Sequence, residues 1–90
     1  MMNVMYYTYV LKSKKDGKYY TGRTKDLRKR FSLHNSEKVS STKGRAPFEI
    51  LYYEACQNRD DAFSREIYLK SGYGKRYLKD RLKSLLSLTG

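Results

Sequence analysis

Two phenols, one guanidinium, one imidazole and one carboxylate carry the chemistry that this sequence could perform. Tyr9, in Tyr7-Thr8-Tyr9, and Tyr20, in Tyr20-Thr21-Gly22, are eleven positions apart, each in a short run rich in aromatic and β-branched residues. Lys14-Lys15-Asp16-Gly17-Lys18 separates the two runs. Its Asp-Gly pair is a hairpin-turn signal, so the tyrosines are expected on adjacent antiparallel strands. Alternation puts Tyr7, Tyr9 and Leu11 on one face, where the hydroxyl of Tyr9 meets that of Tyr20 if the register allows. The pairs Tyr6-Tyr7, Tyr19-Tyr20 and Tyr52-Tyr53 otherwise read as core and sheet-face aromatics.

Positions 27, 30, 31 and 34 follow the i, i+3, i+4, i+7 stripe of a helix facing the body of the protein. Leu27 and Phe31 suit that face, whereas Arg30 and His34 do not. Beside two strand tyrosines they would form an anion pocket: Arg30 can grip a phosphate through two N–H groups, and His34 can hydrogen-bond the phosphate or a water. The alternative is a helix edge on which Arg30 snorkels and His34 is a partly exposed spacer.

Glu66 repeats the anomaly with opposite charge. At about 100° per residue, Ala62, Phe63, Ile67 and Leu69 bound an apolar arc with Glu66 inside it. A buried carboxylate without a cation is costly. Its partner is either Lys70, one turn on, or a divalent metal whose open positions hold water and a phosphate oxygen. His34 is the sole histidine and Cys56 the sole cysteine. One metal ion held by carboxylate and water would therefore be a hard one, Mg²⁺ or Mn²⁺.

Ninety residues make one domain, spanning 1–90, with no room for a second core, and a cavity fit for a small-molecule cofactor is not expected. Twenty Lys and Arg against nine Asp and Glu leave a net charge of +11, spread from Lys12 to Lys83. A polyanion is the natural partner. The basic residues alternate with tyrosines and polar turns, and no apolar stretch approaches the roughly 18 residues of a spanning helix, so nucleic acid is expected rather than a membrane. Arg23 is placed to touch a phosphate in the pocket, and Lys38, Lys43 and Arg45 to grip flanking backbone. A lone cysteine forms no intramolecular disulfide and reads as a small apolar strand residue. Met1-Met2-Asn3-Val4-Met5 lacks the basic and apolar regions of a secretion signal, so a cytoplasmic protein is expected.

The elements that must position these groups follow from local signals. Strands are expected over about Met5 to Ser13 and Lys18 to Arg23, then a helix capped by Asp26 and running to about Asn35. Ser36 to Pro47 reads as a surface loop and Phe48 to Cys56 as a third strand. Asn58 caps a helix through Ser71, with Gly72 closing it, and leucines at 78, 82 and 85 define a final helix from Lys75 to Leu88. The order is ββαβαα, an α+β fold.

Taken together, these residues resemble the GIY-YIG nuclease family over about Met5 to Leu82, and its small stand-alone bacterial members in particular. Tyr7-Thr8-Tyr9 and Tyr20-Thr21-Gly22 stand for its two tyrosine motifs at the family's spacing. Arg30 matches its helix arginine, His34 the following histidine or tyrosine, and Glu66 the metal-binding glutamate. Ser41-Thr42-Lys43, Pro47-Phe48-Glu49 and Ser64-Arg65-Glu66 are similar too. The first motif has no glycine and carries Thr8 in place of isoleucine, and no asparagine follows Glu66, where several family members have one in the site. The resemblance implies a central three-stranded antiparallel sheet flanked by helices. It also implies one-metal hydrolysis of DNA phosphodiesters, branched or damaged DNA and a place in repair or recombination included. In that scheme Tyr20 is the base, Tyr9 positions the water, Arg30 stabilises the transition state and Glu66 holds the ion. The rival expectation is a nucleic-acid-binding module on the same scaffold, stacking bases and gripping phosphates without hydrolysis.

Overall fold

The computed structural model describes residues 4–89. Met1 to Asn3, where the leader-peptide reading begins, lie outside the described residues. Three strands, β1 (Tyr6–Ser13), β2 (Tyr19–Thr24) and β3 (Phe48–Cys56), form one antiparallel sheet in the order β2-β1-β3. Helices α1 (Leu27–Asn35), α2 (Arg59–Lys70), α3 (Gly72–Arg81) and α4 (Lys83–Thr89) flank it. This is the expected α+β arrangement.

The β1–β2 hairpin closes where the Asp-Gly pair put it. Ser13 Oγ accepts from the backbone N–H groups of Lys15 and Asp16, at 3.1 Å each, while Asp16 Oδ1 accepts from that of Lys18. β1 is central and covered on both faces, so Thr8, Tyr9, Val10 and Leu11 are all within 1% of full burial instead of alternating in and out. Tyr9, Leu11 and Phe48 form one core with Leu27 and Phe31 of α1. Val10 forms the other with Leu69 of α2 and Leu78 of α3.

Asp26 caps α1 by accepting from the Lys29 N–H, and Asn58 caps α2 by accepting from Asp60 and Asp61. Two expectations at the C-terminal end change. Gly72 does not end α2 but begins α3, because Ser71 leaves the helical conformation and its side chain caps the new helix at Gly74. A Cβ on Gly74 would fall 2.0 Å from the carbonyl oxygen of Tyr68, so glycine lets the two helices meet backbone to backbone. The expected single helix from Lys75 to Leu88 is divided at Leu82, whose backbone turns out of the helical region at φ −107°, ψ 19°. The loop after α1 contains a 3-10 turn at Ser40–Thr42.

Phe63 and Ile67, expected to bound an apolar arc, are 44% and 56% exposed. Only Ala62 and Leu69 of that arc are buried. Two buried residues, two turns apart, anchor the helix on the sheet, and the flanking apolar positions face outward. Among the described residues no helix is long and apolar enough to cross a membrane.

Candidate active site

Tyr9 lies opposite Gly22 in the β1–β2 ladder, and Tyr20 lies opposite Leu11, so the two phenols are diagonal neighbours. Their ring centroids are 6.5 Å apart. The Tyr9 ring lies directly over Gly22: a Cβ there would fall 2.5 Å from its hydroxyl oxygen and 2.7 Å from Cζ. That is the physical reason for a glycine in Tyr20-Thr21-Gly22. The Tyr9 hydroxyl turns to α1 rather than to Tyr20, meeting His34 Nε2 at 2.8 Å.

His34 is fully buried, with rings of Tyr9, Tyr20 and Phe48 at 5.0 to 5.9 Å between centroids. Its other nitrogen, Nδ1, is 2.8 Å from Thr42 Oγ1. His34 is therefore no exposed spacer but the middle of a buried polar chain. Burial, reinforced by the nearby Arg30 charge, pulls its pKa down to about 4, so the ring is neutral at pH 7. Burial likewise pushes the Tyr9 hydroxyl up to about 12, with Arg30 beside it drawing the value back. About 12 against about 4 leaves a gap on the order of 10 kcal/mol against moving the Tyr9 proton to His34. The contact orients Tyr9 and does not ionise it.

The histidine makes stability depend on pH with a definite sign. Its folded pKa lies below the ordinary value of 6.5, so between about 6.5 and 4 the unfolded chain binds a proton that the folded chain refuses. Stability from this group is present above that window and lost as pH falls through it. The melting temperature should drop more steeply from pH 6.5 to 4 than that of folded His34→Gln, the differential not exceeding about 3 kcal/mol. Parallel curves for the two proteins would show His34 to be freely protonated in place.

Arg30 forms no ion pair among the described residues, and its charge acts on both Tyr9 and His34. Glu66, on α2, also acts on the Tyr9 hydroxyl from the other side of the sheet. Its side chain is 14% exposed and carries two cations: Arg23 Nε on Oε1 at 2.9 Å and Lys70 Nζ on Oε2 at 3.1 Å. The expected Lys70 pair is present, and Arg23 joins it from β2. Arg23 also stacks over Phe63, 4.4 Å from the ring centre, which accounts for an outward-facing phenylalanine.

Tyr9, Tyr20, Arg30 and His34 thus share one site, with Arg23 and Glu66 at its margin. Lys38 and Lys43 are exposed on the loop. Arg45 is engaged elsewhere, paired with Asp16 at 2.9 Å and lying over Phe48. Two groups escaped the sequence reading as site residues. Ser41 Oγ donates to the Tyr20 oxygen at 3.3 Å, and Thr42 completes the histidine chain; the family-like run Ser41-Thr42-Lys43 marks these residues, but not their role. Arg59 and Lys25 stand with Arg23, Thr24 and Tyr6 around an open cleft of about 300 Å³. Neither falls in a motif.

The donor set fits a hard divalent ion. Glu66 offers one carboxylate, and Mg²⁺ ordinarily takes one or two carboxylates, keeping water and substrate phosphate for the rest. No group of three or more His, Cys, Asp or Glu able to hold a metal occurs among the described residues. An ion at Glu66 would have to displace Arg23 or Lys70.

A diagonal pair of tyrosines over a glycine, a buried histidine and a helix arginine, with a glutamate across the sheet, define a catalytic domain of known type. Residues 5–81 match the GIY-YIG catalytic domain, and the chain belongs to that family, a family of nucleases. It is similar to a UPF0213 protein of Clostridium perfringens, 43% identical over 67 residues that make up 73% of this chain and 71% of the other. A UPF0213 protein of Streptococcus pneumoniae is 40% identical over 65 residues, 71% of this chain and 65% of that protein, just under two thirds of its length. The solution NMR structure of a UPF0213 protein from Bacillus halodurans is 32% identical, with coverage of 96% of this chain and 86% of that one and a TM-score of 0.48.

Proposed function

We propose that the protein is a DNA endonuclease that hydrolyses phosphodiester bonds with one Mg²⁺ or Mn²⁺ ion held by Glu66. The setting proposed for it is DNA repair or recombination, with branched or damaged DNA as substrate. The observation that carries the reading is the environment of Tyr9: a phenol only 1% exposed, fixed by a neutral imidazole and faced by an arginine that forms no ion pair among the described residues. Binding alone asks for exposed cations and stacking rings, not for this.

In the proposed reaction water attacks phosphorus as its proton passes to the Tyr20 oxygen, and Tyr20 releases its own hydroxyl proton to solvent. Tyr20 is the more open of the two phenols and accepts a hydrogen bond from Ser41. Tyr9, held as a neutral phenol, presents its oxygen to orient the water. Arg30 stabilises charge on the pentacoordinate phosphorus. Arg23 and Lys70, when drawn off Glu66, are placed to meet the phosphate. The bound ion supplies the positive charge that assists departure of the 3′ oxygen.

Cleavage of a DNA panel, duplex, nicked and branched, with Mn²⁺ and with EDTA tests this directly. Metal-dependent product supports it; binding without cleavage on every substrate replaces it by the binding-module reading. Affinity should also fall steeply with salt as counterions are released. Replacing Lys38 and Lys43 together by alanine should flatten the slope of log K against log salt by up to about two, with sequence preference unchanged. Arg45→Ala should flatten it less, because that guanidinium is already committed to Asp16. An unchanged slope in the double variant would take the loop out of the interface.

A further inference from the structure

We infer that the Ser40–Thr42 turn positions both tyrosine hydroxyls, Thr42 by fixing the tautomer of His34 and Ser41 by donating to Tyr20. The inference deepens the nuclease reading and, as a statement about catalysis, rests on it.

The polarity of the buried chain follows from its far end. Thr42 is fully buried, and its hydroxyl lies 2.8 Å from His34 Nδ1 and 3.4 Å from the carbonyl oxygen of Val39. A hydroxyl has one hydrogen, and a carbonyl can only accept. We assign the Thr42 hydrogen to Val39, across the longer contact, which leaves its oxygen to accept from Nδ1–H. A neutral imidazole carries one N–H, so Nε2 is an acceptor. The hydrogen in the 2.8 Å contact with Tyr9 then belongs to Tyr9. The chain runs from the Tyr9 O–H to Nε2, from Nδ1–H to Thr42, and from Thr42 to Val39.

The opposite tautomer would turn Tyr9 into an acceptor from His34 and use up one of its lone pairs. With Thr42 in place, both lone pairs of Tyr9 are left free of the imidazole, with Arg30 beside them. The next residue does the reverse for the second phenol: Ser41 Oγ donates to the Tyr20 oxygen at 3.3 Å. Adjacent hydroxyls on one turn thus hold Tyr9 as a donor and Tyr20 as an acceptor, the two states that an orienting phenol and a base require.

The turn is built to keep them there. The Thr42 N–H donates to Val39 O and the Arg45 N–H to Thr42 O, both at 3.1 Å. The Glu37 carboxylate accepts from the backbone N–H groups of Gly44 and Ala46, closing the loop behind the turn.

Nitrogen-15 NMR of the free protein at pH 7 measures the tautomer without reference to any substrate. The wild type should show His34 protonated at Nδ1. Thr42→Val, which keeps the shape and removes the hydroxyl, should give a mixed or inverted tautomer and a cleavage rate lower by on the order of 10- to 100-fold, with KM changed little. Thr42→Ser should restore both. Ser41→Ala, which removes the donor to Tyr20, should lower the cleavage rate with KM changed little and leave the His34 tautomer as in the wild type. A wild-type His34 protonated at Nε2 overturns the inference whatever the activity, as does Thr42→Val that keeps both the Nδ1–H tautomer and the full rate. If Thr42→Val does not fold, the wild-type spectrum and Thr42→Ser decide. A wild type with the assigned tautomer that cleaves nothing leaves the hydrogen-bond polarity standing and removes the nuclease reading instead.

Discussion

Glu66→Gln is expected to abolish cleavage while leaving a folded, DNA-binding protein. The substitution keeps the shape of the side chain and removes the charge that would hold the ion. Loss of roughly 3 to 5 kcal/mol of transition-state stabilisation corresponds to a rate lower by on the order of 10² to 10⁴. Folding should suffer little. Both ion pairs of Glu66 are lost, but Arg23 and Lys70 are 41% and 54% exposed and remain solvated. Pairs of that kind contribute about 0 to 1 kcal/mol each. A purely structural Glu66 predicts the reverse pattern, a clear fall in melting temperature with the activity of the folded fraction intact. Cleavage with Mn²⁺ and thermal melts on the same samples separate the two; undiminished turnover in the folded variant would sink the assignment of the ion to Glu66.

Arg30→Ala should cost on the order of 10² to 10³ in cleavage rate, as removal of a preorganised donor from developing negative charge commonly does. Arg30→Lys should recover part of the loss, since it keeps the charge and gives up the planar fork that grips two phosphate oxygens. A second readout needs no substrate. The Arg30 charge helps to hold the His34 pKa down near 4, so in Arg30→Ala the histidine should titrate at higher pH while still depressed by burial. The Tyr9 hydroxyl loses its one cationic neighbour in the same variant and should become harder to ionise. An arginine that merely snorkels at a helix edge would leave the His34 titration and the rate where they were.

What the sequence made legible was local. The aromatic- and aliphatic-rich run Phe48–Cys56, the Asp26 and Asn58 caps and the Asp-Gly hairpin each follow from a few neighbouring residues, and each element is where those residues put it. The anomalous polar positions were legible for a related reason: Arg30 and His34 break a helical stripe, and Glu66 breaks another. The two C-terminal departures have the same root. Gly72 has the composition of a helix stop, but Ser71 uses its side chain to start a new helix one residue earlier, and Leu82 carries no mark of a break. Contacts between distant segments were beyond local pattern. His34 meets Tyr9 across 25 positions, and only the fold shows that the cation on Glu66 is Arg23 as well as Lys70. Ser41 and Thr42 fall in a run similar to the family's, but only the fold shows that the turn brings Ser41 to Tyr20 and Thr42 to His34.

The double ion pair on Glu66 separates two events that many metalloproteins join. Where a metal neutralises ligands that would otherwise repel or lie stranded, the chain folds only around its ion. Here two side chains of the same chain already bring two positive charges to the one carboxylate, as many as a divalent ion would bring. The carboxylate is therefore compensated whether or not an ion is bound. If the proposed ion binds at Glu66, its loss would silence the site without unmaking the domain.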